Sequence, residues 1–204
     1  MHEAARVSTV LLRCLARALE LPEGAMVSAH DPGAEDVQTV LRLLHYPPIA
    51  HRGDVDLSPG ARFRAGAHTD FDVLTLLFQR VGEGGLEVCP GRTASTEFGH
   101  GDTWLPVPPV KGCITCNLGD MLMRWSDDRA MSTFHRVVAP PRDDPAASAP
   151  RYSIAYFNQA CQSTVIGGAG GKYAALTGRQ FLQQSIERNF AALKARETVA
   201  AAPE

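Results

Sequence analysis

Fold and chemistry are both decided by the stretch Ala65-Gly-Ala-His-Thr-Asp-Phe71, which carries two metal-ligand side chains inside a strand-like run. A second run, Ser132-Thr-Phe-His-Arg-Val-Val138, adds a histidine from a distant part of the chain. Side chains at positions i and i+2 of a β-strand point to the same face, so His68 and Asp70 are placed to bind one ion together. A strand that brings His135 beside them completes a set of two imidazoles and one carboxylate.

This ligand set is typical of non-haem Fe(II) oxygenases, in which three protein ligands leave the opposite face of the metal open. Arg151 and Ser153 repeat the i, i+2 spacing further along the chain. A fork-shaped cation beside a hydroxyl suits the binding of a carboxylate. Each residue alone has an ordinary explanation, such as a hydrogen-bonded core histidine or an edge-strand arginine. Their order along the chain favours a metal site with a carboxylate anchor.

Composition indicates an ordinary globular domain. The chain has 204 residues, of which 45% are hydrophobic and 21% charged, and a formal net charge of −2. This balance gives no basic footprint for nucleic acid or an anionic membrane, and no apolar run is long enough to span a membrane. Five scattered cysteines favour reduced thiols and a cytoplasmic location. Cys113 and Cys116 form a C-x-x-C that we expect to be structural and buried.

Short apolar runs bounded by glycine and proline dominate the centre of the chain. They are 63–67, 72–78, 85–89, 104–107, 113–118, 121–125, 135–139 and 152–157, preceded by an alternating strand pattern over 36–46. Many short strands at modest spacing predict a β sandwich or barrel rather than alternating β-α-β units. Residues 91–101 and 140–150 are rich in small and polar residues, and we expect both to be exposed loops.

Amphipathic segments flank this β-rich centre. An apolar stripe at helical spacing near the start of the chain comprises Val7, Val10, Leu11, Cys14, Leu15 and Ala18. Near the end, Thr177 is placed to cap a helix whose stripe we expect to pack on the core, namely Leu182, Ile186, Phe190 and Leu193. We therefore expect an N-terminal helix and connector over 1–35, a β-rich domain with a C-terminal helix over 36–198, and a disordered tail over 199–204.

A longer set of motifs resembles the iron- and 2-oxoglutarate-dependent dioxygenases of the isopenicillin N synthase-like superfamily. The set comprises Arg42-Leu-Leu-His-Tyr-Pro-Pro48, Arg64-Ala-Gly-Ala-His-Thr-Asp-Phe71, Leu74-Thr-Leu-Leu77, Gly84-Gly-Leu-Glu-Val88, Asn117-Leu-Gly-Asp120, Arg124-Trp-Ser-Asp127, Ser132-Thr-Phe-His-Arg-Val137 and Arg151-Tyr-Ser-Ile-Ala-Tyr-Phe157. Trp104 and the pair Lys172-Tyr173, which precedes the C-terminal helix, also resemble the superfamily. All of these motifs stand in the superfamily's order from about residue 36 to about residue 190.

The resemblance implies a mainly β fold with flanking helices, built on a double-stranded β-helix (jelly-roll, cupin-like) core. It implies that Fe(II) is bound in the barrel mouth by the catalytic residues His68, Asp70 and His135. It further implies that the distal carboxylate of 2-oxoglutarate is bound by Arg151 and Ser153, with Tyr46 nearby. The implied reaction consumes O2 and 2-oxoglutarate, releases succinate and CO2, and hydroxylates, desaturates or cyclises a small organic molecule. Position alone suggests substrate contacts for Phe71, Asp72, Phe157 and Asn158.

Other functions stay open at this point. An oxidase of the isopenicillin N synthase type would use Fe(II) and O2 without the keto acid, and Arg151 with Ser153 would hold the substrate carboxylate instead. A truncated jelly roll could serve as a non-catalytic binding module, and a zinc hydrolase is weaker because no general base is evident. Superfamily members usually carry a long segment before the matched region, so we expect a fragment, a shortened gene model or a minimal member.

Overall fold

The structure, a computed structural model, describes residues 1–49, 63–90, 103–141 and 143–200, the side chains of residues 23 and 192–200 excepted. In chain order the elements are α1 (His2–Ala18), α2 (Glu23–Ser28), β1 (Val40–Tyr46), β2 (Phe63–His68), β3 (Leu74–Gln79), β4 (Leu86–Val88), β5 (Leu105–Pro106), β6 (Thr115–Leu118), α3 (Asp120–Trp125), β7 (His135–Val138), β8 (Arg151–Asn158), β9 (Val165–Ile166), β10 (Leu176–Thr177) and α4 (Gly178–Ala200).

Two four-stranded antiparallel sheets form the centre of the molecule. One has the strand order β1-β8-β3-β6 and the other the order β2-β7-β4-β5. Strands β9 and β10 form a separate two-stranded ribbon. Two sheets that exchange consecutive strands in this way make a jelly roll. The prediction of a mainly β fold with flanking helices is confirmed.

The larger sheet has one apolar face and one face that carries the polar groups of the barrel. Along β3, Leu74 and Leu76 pack with the helices, in a cluster that includes Leu12 of α1 and Met26 of α2. Side chains alternate along a strand, so Thr75 points the other way, into the barrel. The helical layer therefore holds most of the hydrophobic core and leaves the barrel interior for polar side chains.

One predicted strand is wrong. Residues 121–125 belong to helix α3, where Met121, Leu122 and Trp125 are buried. A short apolar run buried on several sides cannot be assigned to strand or helix from periodicity alone. The predicted loop at 140–150 contains a short 3-10 helix, Pro145–Ser148, capped by Asp144. The predicted loop at 91–101 lies outside the described residues, as do residues 201–204 of the predicted tail.

The first helix is present, and its buried face overlaps the predicted stripe only in part: Val7, Leu11 and Leu15 pack against the core. Its buried residues are Ala4, Ser8, Leu12 and Ala16, whereas Val10 is 53% exposed. The physical reason is a long-range hydrogen bond: Asn158 at the end of β8 donates to the Ser8 hydroxyl, and both residues are buried. A buried polar pair must stay bonded, so this contact fixes the rotation of α1.

The last helix begins as predicted, and its buried face differs. The Gln180 backbone N–H donates to the Thr177 hydroxyl over 3.2 Å, and the Thr177 N–H donates to the Gln180 side chain over 2.9 Å. These reciprocal bonds form a capping box. Among the α4 side chains that the structure describes, Phe181 and Ser185 are buried, whereas Ile186 and Phe190 of the predicted stripe are 40% and 61% exposed. Packing of the predicted stripe on the core is therefore wrong for these two residues, and the Leu193 side chain lies outside the described part of the chain.

Two further findings concern the cysteines and the membrane. Cys113 and Cys116 are exposed, which corrects the expectation that they are buried. Cys116 lies on β6, which is an edge strand of the larger sheet. Among the described helices, none combines the length and the apolar character that crossing a bilayer requires.

His30 is a buried titratable group in the helical layer. Its Nδ1–H donates to the Met26 carbonyl oxygen over 2.6 Å, and its ring stacks on Trp125. Burial lowers the pKa of His30 to about 4, although the bond to Met26 acts in the opposite direction. The folded protein therefore favours the neutral form of the His30 ring.

We expect His30 to make the protein less stable in acid. Between its ordinary pKa of 6.5 and about 4, the unfolded chain binds a proton at His30 that the folded chain does not bind. The free energy of unfolding should therefore fall as the pH falls through this window, by roughly 3 kcal/mol in full. In His30→Asn this loss should disappear, as measured by urea unfolding from pH 7.5 to 4. His2→Gln, at an exposed histidine of α1, is the control; parallel curves for wild type and His30→Asn would contradict the assignment.

Candidate active site

Three side chains suited to metal binding meet at one end of the barrel. His68, the last residue of β2, lies opposite His135 of β7 in the antiparallel register, and Asp70 follows two residues later. The Nε2 atoms of His68 and His135 lie 3.7 and 3.8 Å from Asp70 Oδ1. All three ligand atoms lie within 4.8 Å of one another. The structure thus brings together the trio that the sequence singles out.

Backbone hydrogen bonds orient both imidazoles. His68 Nδ1–H donates to the Gly66 carbonyl oxygen over 2.7 Å, and His135 Nδ1–H donates to the Thr133 carbonyl oxygen over 2.9 Å. These bonds assign the proton to Nδ1 and leave the Nε2 lone pairs directed at Asp70. Burial lowers the pKa of His68, His135 adds to the effect and Asp70 opposes it, so the metal-binding neutral form is favoured.

The Asp70 carboxylate is held by the opposite sheet. Its Oδ2 accepts hydrogen bonds from the Thr75 hydroxyl over 2.6 Å and from the Asn117 amide over 2.8 Å. Thr75 on β3 and Asn117 on β6 are themselves register partners. Because both donors use Oδ2, Oδ1 remains directed at the two histidines. Sequence reasoning gave no role to Thr75 or Asn117, although both lie within the quoted motifs.

A close backbone approach fixes the loop that carries Asp70. The Asp120 N–H donates to the Asp70 carbonyl oxygen over 2.8 Å, and the Thr69 hydroxyl donates to the Asp120 side chain over 3.1 Å. A Cβ atom on Gly119 would lie 2.2 Å from the Asp72 carbonyl oxygen. Only glycine fits there, which explains the Asn-Leu-Gly-Asp motif in physical terms.

A second carboxyl, that of Asp72, lies behind Thr75. Burial and the Asp70 charge raise the pKa of Asp72 well above its ordinary value. Its Oδ2 lies 2.8 Å from the Thr75 hydroxyl. That hydroxyl has one proton, which it donates to Asp70, so a protonated Asp72 donates to it in turn. Asp72 therefore supports the Asp70 carboxylate through Thr75.

Arg151, the first residue of β8, is a buried cation on the same inner surface. It is 1% exposed and pairs in register with Tyr46 of β1. Its Nε–H donates to the carbonyl oxygens of Glu83 and Gly84 over 3.2 and 3.1 Å. The guanidinium carbon lies 5.2 Å from the centre of the Tyr46 ring, and Nη1 donates to the Ser153 hydroxyl over 3.4 Å.

The guanidinium keeps donors for a ligand. Nη2 donates to Gln79 Oε1 over 3.0 Å, and the guanidinium also forms a side-chain hydrogen bond with Tyr46. Burial lowers the pKa of Arg151, and the Tyr46 and Glu83 side chains oppose this, so the cation persists. Guanidinium N–H groups beside the Ser153 hydroxyl match the donor set that a carboxylate accepts.

A cavity of about 770 Å³ opens onto the metal-ligand cluster. His68 and Asp70 lie on its wall, together with Phe71 and Phe157. These two aromatic residues were predicted as substrate contacts, whereas Asp72 and Asn158 do not line it. Arg151, Ser153 and Tyr46 also lie outside its wall. The cavity thus contacts two of the three candidate metal ligands and none of the three residues around the buried arginine.

Comparison with known proteins agrees with this geometry. Residues 37–160 match the 2OG-Fe(II) oxygenase superfamily. The chain belongs to that superfamily. The predicted resemblance is confirmed, and Fe(II) with 2-oxoglutarate is confirmed as the cofactor pair of this superfamily.

Fungal 2OG-Fe(II) oxygenases are among the curated relatives. The chain is 38% identical over 155 residues to the 2-oxoglutarate-Fe(II) type oxidoreductase ppzD of Metarhizium majus, covering 72% of this chain and 41% of that protein. It is 39% identical over 151 residues to the proline hydroxylase buaE of Petromyces alliaceus, covering 73% and 42%. The chain thus spans about two fifths of the length of these relatives.

Solved structures of 2OG-Fe(II) oxygenases share the fold. A full-length Neurospora crassa protein in complex with alpha-KG has a TM-score of 0.71 and 31% identity, covering 91% of this chain and 55% of that one. The same Neurospora protein with alpha-KG and thymine has a TM-score of 0.71, covering 92% and 54%. The predicted jelly-roll core is confirmed by this likeness.

We expect Asn117→Leu to weaken iron binding. The substitution removes one of the two hydrogen bonds that turn Oδ1 of Asp70 toward the histidines, and loss of such a supporting contact typically costs about 10- to 100-fold in metal affinity. Competition for Fe(II) against a chromogenic chelator measures the change. Cys116→Ala, at the exposed residue before Asn117 on the same strand, is the matched control. Wild-type affinity in Asn117→Leu would show that the contact does not support the metal site.

Proposed function

We propose that this chain is an Fe(II)- and 2-oxoglutarate-dependent dioxygenase that oxidises a small organic molecule. The observation that carries the proposal is the approach of two Nε2 atoms and one carboxylate oxygen to within 4.8 Å of one another. In the proposal iron is held by His68, Asp70 and His135. The distal carboxylate of 2-oxoglutarate is held by Arg151, Ser153 and Tyr46. Three protein ligands on one face leave positions for a bidentate keto acid and O2.

The residues of the chain would hold and orient the reactants. The bound iron and keto acid would supply the oxidising power for the reaction. Carbonyl oxygens of Gly66 and Thr133 accept the Nδ1–H groups and so orient both imidazoles, while Thr75 and Asn117 leave one oxygen of Asp70 for the metal. Buried Arg151 offers a fixed cation whose hydrogen bonds are already arranged, so little reorganisation is needed when an anion binds.

The relatives support a keto-acid-dependent reaction on a small molecule. The Neurospora crassa protein has been solved with alpha-KG and thymine, and the Petromyces alliaceus relative is named a proline hydroxylase. These findings favour a dioxygenase over an oxidase that uses no keto acid. A full set of ligands, each with its supporting hydrogen bonds, also speaks against a non-catalytic binding module.

Domain limits and location follow as part of the proposal. We assign the catalytic jelly roll with its C-terminal helix to residues 36–198, supported by the family match over 37–160. Residues 1–35 then form the N-terminal helix and connector. All five cysteines are unpaired, which supports a cytoplasmic location.

The first test is an anaerobic titration of the Fe(II)-loaded protein with 2-oxoglutarate. A saturable metal-to-ligand charge-transfer band in the visible spectrum is expected, because chelation by a keto acid produces it. Admission of O2 should then yield succinate from 2-oxoglutarate. If iron is bound but no band develops, the keto acid is not a ligand and an oxidase becomes the better assignment.

Asp70→Ala should abolish iron binding. Asp70 supplies the only anionic ligand atom of the proposed set, and neutral imidazoles alone hold Fe(II) weakly. Iron content after loading and desalting is the measurement, with far-UV circular dichroism to show that the variant is folded. Asp143→Ala, at an exposed carboxylate outside the site, is the control. Full iron occupancy in Asp70→Ala would remove the basis of the ligand assignment.

Arg151→Leu should weaken 2-oxoglutarate binding by roughly 30-fold or more and leave iron binding largely intact, because a buried charged hydrogen-bonding partner is lost. The same change leaves the carbonyl oxygens of Glu83 and Gly84 unpaired, so Ser153→Ala is measured beside it, with an expected loss of about 2- to 10-fold. The charge-transfer titration gives both affinities. Ile154→Ala, on the opposite face of β8, is the matched control. Unchanged affinity in both Arg151→Leu and Ser153→Ala would place the carboxylate elsewhere.

A further inference from the structure

The inward row of β1 carries a second cation at the metal end of the barrel. Arg42 and Tyr46 are four residues apart on one strand and therefore share a face. The guanidinium carbon of Arg42 lies 5.2 Å from the centre of the Phe157 ring. Phe157 in turn pairs in register with Thr75, which holds Asp70. Arg42 thus lies at the level of the ligand cluster, whereas Tyr46 lies beside Arg151.

Arg42 lines the cavity next to His68. Its charge is close enough to contribute to the lowered pKa of His68, after burial and the charge of His135. Within the described part of the chain, the Arg42 side chain makes no hydrogen bond and has no carboxylate partner; its guanidinium lies over the Phe157 ring. A guanidinium in a cavity wall without a counter-charge attracts anions and repels cations.

The other two arginines of the cavity are already engaged. Arg124 donates to the Ala174 carbonyl oxygen and stacks on Tyr173 with 4.9 Å between the guanidinium carbon and the ring centre. Arg188 donates to the Ser185 hydroxyl over 3.1 Å, and its charge lies close enough to Asp120 to affect the pKa of that carboxyl. Arg124 Nε has no hydrogen-bond partner among the described residues. Arg42 differs from both arginines in that its whole guanidinium makes no hydrogen bond to a described residue.

The acidic side chains of the cavity are assigned to other partners, and Asp70 among them is a metal ligand in the proposed function. Asp128 pairs with Lys172 and accepts a hydrogen bond from Tyr173 over 2.9 Å. Asp120 accepts from Thr69 on the far side of the ligand loop. Among the described residues, the positive charge of Arg42 is left for whatever occupies the cavity.

We propose that the organic substrate carries a carboxylate that binds Arg42, with its apolar body against Phe71 and Phe157. The proposal rests on the proposed function, because it places this molecule beside the iron and the keto acid. The fork of a guanidinium binds a carboxylate through two parallel hydrogen bonds and so orients the attached carbon skeleton. Arg42 is then the residue that selects the charge of the substrate, as Arg151 selects that of the co-substrate.

The test compares three probes that share a phenyl body and differ in charge. Phenylacetate, phenylacetamide and phenethylammonium are titrated into the Mn(II)-loaded protein saturated with 2-oxoglutarate, and line broadening by the paramagnetic ion is followed in their proton NMR spectra. Saturable broadening is expected for phenylacetate, with roughly tenfold or weaker apparent affinity for the neutral amide and none for the cation. In Arg42→Gln the preference for the anion should disappear. Arg13→Gln, at an exposed arginine of α1, should keep it.

Four outcomes of these titrations would contradict the proposal, and each has a different meaning. Equal affinity for phenylacetate and phenylacetamide would overturn it and make Arg42 a donor to a neutral group. Loss of broadening from 2-oxoglutarate as phenylacetate is added would also overturn it, since the probe would then occupy the Arg151 site. No saturable broadening of phenylacetate while 2-oxoglutarate remains broadened would overturn it and leave the proposed function standing. No broadening of 2-oxoglutarate at all would overturn both.

Discussion

The Asp70 carboxylate connects the two sheets of the barrel through its hydrogen bonds, and the geometry of the candidate site depends on this connection. Asp70 follows directly after β2, whose last residue faces His135 across the smaller sheet. Its Oδ2 is held by β3 and β6 of the larger sheet through Thr75 and Asn117. A buried carboxylate is tolerated only where its oxygens are bonded. The contacts that satisfy Asp70 are therefore the ones that set the distance between the sheets at the point where the histidines project.

Strand β8 carries the residues that lie at the two ends of the candidate site. Arg151, Ser153 and Phe157 alternate onto the inner face of one strand, at about 3.3 Å per residue, so the first and last of them are about 20 Å apart along the backbone. The buried arginine lies at one end of this row. At the other end, Phe157 lies opposite the residue that holds Asp70. A single strand thus separates the proposed carboxylate anchor from the cavity, with the ligand cluster between them.

The local sequence pattern was sufficient to predict the site residues that depend on the alternation of side chains along a strand and on the order of the motifs. His68 with Asp70, and Arg151 with Ser153, follow from the two-residue period, and each pair lies together in the structure. Features set by contacts distant in sequence were missed. The phase of α1 depends on a bond between Ser8 and Asn158, which no local stripe reveals. Likewise α4 turns Phe181 rather than Phe190 to the core, because the helix axis is fixed by the tertiary packing of its first turns.

The side-chain direction of Arg42 follows from alternation along β1, whereas its electrostatic environment depends on the tertiary fold. Its position four residues before Tyr46 predicts an inward side chain, but only the fold shows that no described carboxylate compensates it. In the proposed complex, the charge of Fe(II) and that of Arg151 would be balanced by Asp70 and the two carboxylates of 2-oxoglutarate. Arg42 would remain without a described carboxylate partner, beside a metal site that has become neutral. A monoanionic substrate in the cavity would balance the charge of Arg42, whereas a cationic one would add to the positive charge there.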